Sequence, residues 1–143
     1  MTTSKIGNLT FDCADPDRMA TFWAAAFGYT KLAYPDEMRR ELLASGLTED
    51  QLGDRAVAED PDGAGPRLFF QRVPESKSAK NRLHLDLSAA PGRRPTAEEL
   101  DTEVERLVAL GAARVHDHVG AWGPWPEHHV VMADPEGNEF CVQ

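Results

Sequence analysis

Several common classes of protein are excluded by what this sequence lacks. Its 143 residues include two cysteines, Cys13 and Cys141, and no C-x-x-C spacing, which argues against a zinc knuckle or a disulfide scaffold. No apolar run approaches the roughly 18 residues that a membrane-spanning helix needs. Residues 1–5 lack the basic and apolar segments of a secretory signal. We therefore expect a cytoplasmic protein.

The sequence also has little positive charge. Its 15 lysines and arginines stand against 24 acidic residues, which gives a net charge of −9. A surface this acidic repels phosphate backbones and anionic lipids, so we expect neither nucleic acid nor a membrane as a partner. A nucleophile elbow, a phosphate-binding loop and a dinucleotide fingerprint are also missing. A small-molecule ligand is the expected partner.

The first half of the sequence predicts a strand, a helix and a second strand. Residues 6–13 alternate apolar and polar side chains, which is typical of a half-buried strand. Asp15 and Pro16 provide an N-terminal cap and a first-turn proline, and Gly28 ends the amphipathic helix that follows. A short strand is expected over residues 29–34.

The second half repeats this order. Residues 82–88 alternate, and the pattern predicts a strand with three inward-facing leucines: Leu83, Leu85 and Leu87. Thr96 begins an amphipathic helix with an approximate capping box, and Gly111 ends it. The next strand is expected over residues 112–119.

Both halves also contain nearly the same turn. Residues 60–63 and 134–137 read Asp-Pro-Asp-Gly and Asp-Pro-Glu-Gly, and both predict a type I turn. Apolar strands follow at residues 67–71 and 138–142. The separation along the chain between the two predicted first strands is nearly the same as the separation between the two turns. Two markers in different parts of the unit therefore support the same repeat.

The fold class that follows is α+β, with two tandem βαβββ modules forming a curved mixed sheet around a cleft. A single domain spans residues 1–143, with module one at residues 1–74 and module two at residues 81–143. Residues 35–55 form a helical insertion in module one. Two interpretations of the insertion stay open, a lid over the cleft and a surface helix that lengthens a connection.

Four segments resemble a known family: residues 8–12, 22–29, 82–87 and 132–140. They are similar to the glyoxalase/bleomycin resistance group, the vicinal oxygen chelate (VOC) superfamily, and in particular to its glyoxalase-like small proteins. The resemblance implies the two-module fold. It leaves the function open, since the superfamily includes metal-dependent enzymes and metal-free drug-binding proteins.

The resemblance also implies four positions for metal ligands, namely Asn8, Gln71, His84 and Cys141. His84 is a good ligand and Gln71 offers an amide oxygen, whereas Asn8 replaces a common histidine and Cys141 replaces the usual glutamate. Glu139 lies two residues before Cys141 on the same strand face and is the substitute carboxylate. We expect the metal site to be degenerate and no cofactor to be bound, with a divalent metal at His84, Gln71, Glu139 and Cys141 as the alternative.

Further residues are expected to line the cleft, and three of them have two interpretations. The predicted ligand-contacting residues are Asn8, Phe69, Asp86, Trp122 and Trp125. The two tryptophans lie in a predicted Pro/Gly loop, where they either wall a pocket or pack against the sheet edge or a second subunit. Asp86 beside His84 is either an acid–base pair or an ordinary polar contact.

Four further histidines are also ambiguous. His116 and His118 share a strand face, and His128 and His129 begin the partner strand. They are either metal ligands or strand-end polar residues, and the second interpretation is the simpler.

The sequence is therefore compatible with three functions. The first is a protein that binds a small, partly aromatic molecule in its cleft without a metal. The second is a metal-dependent VOC enzyme of the lyase, isomerase or dioxygenase type that uses His84 and its neighbours. The third is a non-catalytic regulatory domain. No catalytic residue is assigned, and a homodimer is expected, which a monomer in light scattering would contradict.

Overall fold

The computed structural model describes residues 2–143. The chain divides between Ser76 and Lys77 into two compact units, referred to below as the first and the second unit. Within residues 2–143, no helix combines the length and the apolar character that crossing a membrane requires.

The first unit contains a four-stranded sheet and three helices. In chain order these are β1 (Asn8–Cys13), α1 (Pro16–Phe27), β2 (Thr30–Lys31), α2 (Asp36–Ala44), α3 (Glu49–Leu52), β3 (Arg55–Glu59) and β4 (Arg67–Arg72). The strand order is β1-β4-β3-β2, with β1 and β4 parallel and the other pairs antiparallel. The first strand of the unit therefore pairs with its last.

Helix α1 begins and ends where its sequence signals predict. The Asp15 carboxylate accepts a hydrogen bond from the backbone N–H of Arg18 at 3.1 Å, and Gly28 ends the helix with a positive φ of 70°. The helix packs on β3 and β4 and buries Met19, Phe22 and Trp23. This packing leaves the other face of the sheet to the polar side chains of β1.

The second unit contains a four-stranded sheet and one helix. Its elements are β5 (Asp86–Leu87), α4 (Ala97–Leu110), β6 (Ala113–Trp122), β7 (Trp125–Ala133) and β8 (Glu139–Val142). The strand order is β5-β8-β7-β6, with β5 and β8 parallel. Each unit thus has the order βαβββ, and the predicted α+β class is confirmed.

Helix α4 supplies the core of the second unit. Thr96 and Glu99 form a complete capping box at its start, which confirms the predicted cap. The helix buries Leu100, Val104 and Leu107, and the apolar face of the sheet contributes four fully buried side chains: Val130, Met132, Phe140 and Val142. The opposite face of this sheet is called the polar face below.

The repeated turns form as predicted. The N–H of Gly63 donates to the Asp60 carbonyl at 3.0 Å, and the N–H of Gly137 donates to the Asp134 carbonyl at 2.9 Å. Each aspartate carboxylate also accepts backbone N–H groups of its own turn. The same side-chain chemistry therefore closes the loop that precedes β4 and the loop that precedes β8.

The strand predicted over residues 82–88 is much shorter in the structure, where only Asp86–Leu87 pairs with β8. Leu83, which the pattern places in the core, is 76% exposed. The reason lies in the partner, because β8 begins at Glu139 and the backbone N–H of Asn81 binds the Glu139 carboxylate rather than a strand. Alternation alone does not reveal how long the partner strand is.

Other boundaries also differ from the expected ones. The strand expected over residues 29–34 is reduced to Thr30–Lys31, and the one expected over residues 112–119 extends to Trp122. The insertion at residues 35–55 holds two helices, α2 and α3, and α2 buries none of its residues.

Candidate functional site

The polar face of the second unit brings three potential ligand groups together at β5 and β8. Asp86 lies directly opposite Cys141 in the parallel register, so both side chains point to the same face. His84 precedes Asp86 by two residues, and its Nε2 lies 3.3 Å from Asp86 Oδ1. One ligand atom from each of His84, Asp86 and Cys141 lies within 4.8 Å of the other two.

Cys141 remains a neutral thiol in this arrangement. Its side chain is buried, with 8% of the residue exposed. Burial raises the pKa of the Cys141 thiol, and the neighbouring Asp86 carboxylate raises it further through its charge and a hydrogen bond. The charge of Lys80 opposes these effects without reversing them. A thiol of this kind is a poor nucleophile and a poor metal ligand.

Glu139, the predicted substitute ligand, is bound to the segment that precedes β5. Its Oε2 lies 3.1 Å from Lys77 Nζ and accepts the backbone N–H of Asn81 at 2.9 Å. These contacts lower the pKa of Glu139 to about 2, the Asn81 N–H having the larger effect and Lys77 the smaller. The carboxylate therefore has a structural role in tying the start of the second unit to β8.

We expect Glu139→Gln to remove a pH-dependent contribution to stability. The folded-state pKa of about 2 lies below the ordinary value of 4.5, so the ionised carboxylate stabilises the fold fully above pH 4.5. This stabilisation is lost as the pH falls from 4.5 towards 2. Urea midpoints across this range should fall more steeply for the wild type than for the variant.

The matched control is Glu105→Gln, because Glu105 is exposed on α4. It should keep the wild-type dependence on pH. If Glu139→Gln also keeps that dependence, the contacts to Lys77 and Asn81 do not stabilise the protein.

The remaining predicted ligand positions lie in the first unit. Gln71 and Asp12 are partners in the β1–β4 register, and Gln71 Nε2 donates to Asp12 Oδ1 at 2.7 Å. Phe69 alternates with the buried Phe70, so it shares the face of Gln71 and is half-buried there. Asn8 is exposed at the start of β1, on the face that Asp12 occupies.

Trp122 and Trp125 lie in strands and not in a loop. They are opposite each other at the end of the β6–β7 hairpin, which turns through Gly123 and Pro124. Gly123 has a φ of 57°, as the first position of a type II′ turn requires. The two tryptophans are 72% and 65% exposed, and alternation along β7 places Trp125 on the face of Val131, the register partner of Cys141.

The histidines of this hairpin are not at strand ends, and that interpretation was wrong. His118 and His129 are register partners within the hairpin, on the polar face, and His116 lies on the same face two residues earlier. His128 points to the opposite face. The β6–β7 hairpin therefore carries a second polar cluster besides the one at β5 and β8.

Comparison with protein families assigns almost the whole chain. The family model described as the glyoxalase-like domain matches residues 8–143. The chain belongs to this family. No curated protein matches the sequence.

Solved structures with the same fold match this glyoxalase-like domain at low identity. A glyoxalase/bleomycin resistance protein/dioxygenase family enzyme from Burkholderia phytofirmans PsJN is 15% identical, with a TM-score of 0.62 and 97% of each chain covered. A possible glyoxalase from Bacillus cereus is 18% identical, with a TM-score of 0.57 and 99% of each chain covered. These similarities confirm the expected VOC fold.

A third similar structure contains a metal. A mutant of the fosfomycin resistance protein FosX from Listeria monocytogenes, complexed with Mn(II) and 1S,2S-dihydroxypropylphosphonic acid, is 13% identical, with a TM-score of 0.63. The match covers 99% of this chain and 90% of that chain. At this identity the similarity shows the fold alone.

The residues of this glyoxalase-like domain do not fit a manganese site. Mn²⁺ prefers hard oxygen ligands such as carboxylates, carbonyls and water. The cluster at β5 and β8 offers one imidazole, one carboxylate and a neutral thiol, while the carboxylate of Glu139 is held by Lys77 and Asn81. This donor set therefore does not support chemistry that depends on manganese.

Proposed function

We propose that this glyoxalase-like domain binds a small, partly aromatic molecule on its polar face, without a manganese-type metal. The observation that carries the proposal is the pairing of His84 with Asp86 beside the neutral thiol of Cys141. Together they offer hydrogen-bond donors and acceptors but no hard metal-ligand set. A homodimer and a cytoplasmic location remain part of this proposal.

The aromatic part of the ligand is inferred from Trp122 and Trp125. Exposed tryptophans opposite each other on a hairpin offer two flat apolar surfaces with one indole N–H each. They share the polar face with Asp86 and Cys141 according to the strand registers. Trp125 and Val131 lie six positions apart along β7, which is about 20 Å at the usual rise of a strand. A molecule that makes both kinds of contact is therefore elongated, with an aromatic ring at one end and a polar group at the other.

A thermal-shift screen of aromatic drug-like compounds tests the proposal, with 1S,2S-dihydroxypropylphosphonic acid as a non-aromatic comparison. A compound present at about 100 times its Kd should stabilise the fold by about 2.7 kcal/mol, which raises Tm by several degrees. His84→Ala and Asp86→Asn should each reduce this shift, because they remove one polar contact.

His128→Gln is the matched control, because His128 points away from the polar face. It should keep the full shift. If every aromatic compound leaves Tm unchanged, or if His128→Gln weakens binding as much as His84→Ala, the binding proposal is wrong and a regulatory domain without a ligand is favoured.

A second candidate is a metal-dependent enzyme with a soft metal such as zinc. It is favoured by the proximity of His84, Asp86 and Cys141, whose ligand atoms lie within 4.8 Å of one another. A bound Zn²⁺ would have to displace the thiol proton of Cys141, since thiolates are the form that binds metal.

Metal analysis of protein purified without chelator separates the two candidates. The binding proposal expects no stoichiometric metal that depends on Cys141. Co²⁺ titration adds a specific readout, because a cobalt–thiolate bond gives an intense near-ultraviolet absorption band that imidazole ligands do not give. A stoichiometric band that is lost in Cys141→Ser would establish the second candidate and overturn the first.

A further inference from the structure

The β6–β7 hairpin holds two histidine rings in contact on the polar face. His118 and His129 are directly opposite in the antiparallel register. Their ring centroids are 4.7 Å apart and the ring planes differ by 30°. Both residues are partly buried, unlike most of β6. The two imidazoles are therefore held in proximity by the strand pairing itself.

The neighbouring pair of residues in the hairpin orients one of these rings. Gly120 lies opposite Glu127, and His118 Nε2 lies 3.3 Å from Glu127 Oε2. A Cβ atom at Gly120 would come within 3.0 Å of His118 Nε2 and 3.2 Å of Cε1. The ring of His118 therefore lies over the backbone of Gly120, in space that any side chain there would occupy.

This arrangement resembles the way proteins prepare a histidine for metal binding. A metal-bound histidine usually donates its second ring N–H to a carboxylate, which fixes the tautomer and makes the other nitrogen a better ligand. Here Nε2 of His118 faces the Glu127 carboxylate, so Nδ1 is the nitrogen with a free lone pair. His129 supplies a second imidazole, with its ring centroid 4.7 Å from that of His118. Because the lone pair of an imidazole lies in the ring plane, one of the two stacked rings must rotate out of the stack for both to bind one ion.

We propose that His118 and His129 bind a divalent transition metal of the zinc type, with Glu127 as the positioning residue for His118. Neutral imidazoles suit Zn²⁺, Ni²⁺ and Cu²⁺, whereas Mg²⁺ and Ca²⁺ prefer oxygen ligands. His116 points to the same face two residues before His118 and is the nearest further imidazole along β6. Water completes the coordination.

This site is separate from the group at His84, Asp86 and Cys141. Its ligands come from β6 and β7, whereas that group comes from β5, β8 and the residues just before β5. It also uses imidazoles only, with no thiol and no carboxylate in direct contact with the metal. The proposal therefore stands whether or not a small molecule binds as proposed above.

Zn²⁺ titration of the full chain tests the proposal, in a His84→Ala background that removes the histidine of the group at His84, Asp86 and Cys141. Calorimetry gives the affinity, and long-range ¹H–¹⁵N spectra of the imidazoles identify the ligands. We expect binding of one Zn²⁺ that shifts the ring signals of His118 and His129 and leaves that of His128 unchanged. His118→Asn and His129→Gln should each weaken binding by more than tenfold, on the order of the loss of a ligand.

Three further variants test the geometry without removing a ligand. Glu127→Gln should weaken Zn²⁺ binding by roughly 10-fold, because the carboxylate that fixes the His118 tautomer is lost. Gly120→Ala should have a similar effect by displacing the His118 ring, and Gly120 has no positive φ that the substitution would strain. His128→Gln, on the opposite face, should leave the affinity unchanged.

Three results would overturn the proposal. The first is the absence of Zn²⁺ binding in the His84→Ala protein at millimolar metal. The second is a loss of affinity in His128→Gln that equals the loss in His129→Gln. The third is unchanged affinity in both Glu127→Gln and Gly120→Ala, whose folding is checked by circular dichroism.

Discussion

Trp23→Ala should lower the free energy of unfolding by about 3–5 kcal/mol, the usual cost of truncating a large buried aromatic residue. Trp23 is 1% exposed in α1. Its ring centroid lies 5.2 Å from those of Phe11 and Phe22 and 5.6 Å from that of Phe27. The substitution removes these aromatic contacts and leaves a cavity between α1 and the sheet. Urea unfolding followed by circular dichroism measures the loss.

Trp122→Ala is the matched control, since the same residue type is 72% exposed at the tip of the β6–β7 hairpin. Its effect on stability should stay within about 0.5 kcal/mol. If Trp23→Ala fails to fold, Trp23→Phe keeps an aromatic ring and should give a smaller, measurable loss. Equal losses for Trp23→Ala and Trp122→Ala would contradict the role assigned to Trp23 in the core.

Asp134→Ala should be the most damaging change in the second unit outside its apolar core. Asp134 is a buried carboxylate, 4% exposed, in the turn before β8. It accepts the backbone N–H groups of Glu136 at 2.9 Å and Asn138 at 3.0 Å, and its Oδ2 accepts Asn138 Nδ2 at 2.8 Å. Asp134→Ala leaves these three donors without their acceptor. A hydrogen bond to a charged group contributes roughly 1.5–3 kcal/mol. Because water can replace part of these bonds, we expect the free energy of unfolding to fall by about 3–5 kcal/mol.

The equivalent turn of the first unit provides the control. Asp60 accepts the backbone N–H groups of Asp62, Ala64 and Gly65, and these bonds lower the pKa of its carboxyl. Asp60 is partly exposed, so water can bind the donors that Asp60→Ala releases. The loss of stability should therefore be smaller than for Asp134→Ala, and urea unfolding of both variants compares them. A larger loss of stability in Asp60→Ala than in Asp134→Ala would show that burial of the carboxylate does not determine the size of the loss.

Local signals in the sequence were sufficient to predict much of the fold. Asp15 and Gly28 mark the ends of α1 because their effects act on adjacent backbone groups. The same holds for Thr96 at the start of α4 and for the two Asp-Pro turns. The two-residue hairpin turn at Gly123 and Pro124 was also visible in the sequence, as a Gly between two strand-forming tryptophans. The predicted loop that contains both tryptophans is therefore wrong, because Trp122 and Trp125 are paired in the strands.

The sequence-based predictions that were wrong concern residues whose structural partners are distant in the sequence. The exposure of Leu83 follows from the shortness of β8, which no pattern in residues 82–88 contains. The proximity of His84, Asp86 and Cys141 was in part predictable, since His84 and Asp86 share a strand phase and Cys141 lies on the paired strand. The contacts of Glu139 with Lys77 and Asn81 depend on the path of the segment before β5, and they remove the carboxylate that the sequence offers as a ligand.

The parallel pairing of β1 with β4 sets the order in which the chain can fold during synthesis. Asp12 can pair with Gln71 only after Gln71 has been synthesised, 59 positions later. At ribosomal speed this synthesis takes roughly 3 to 12 seconds. Helix α1 is complete long before that and can cover the apolar face of β1 in the meantime. The pairing of β1 with β4 can be completed once Arg72 has emerged. Strand β5 is synthesised after that point, and it pairs with β8 later still. The sheet of the first unit can therefore be complete before β5 is synthesised, so β1 and β5 need not be unpaired at the same time.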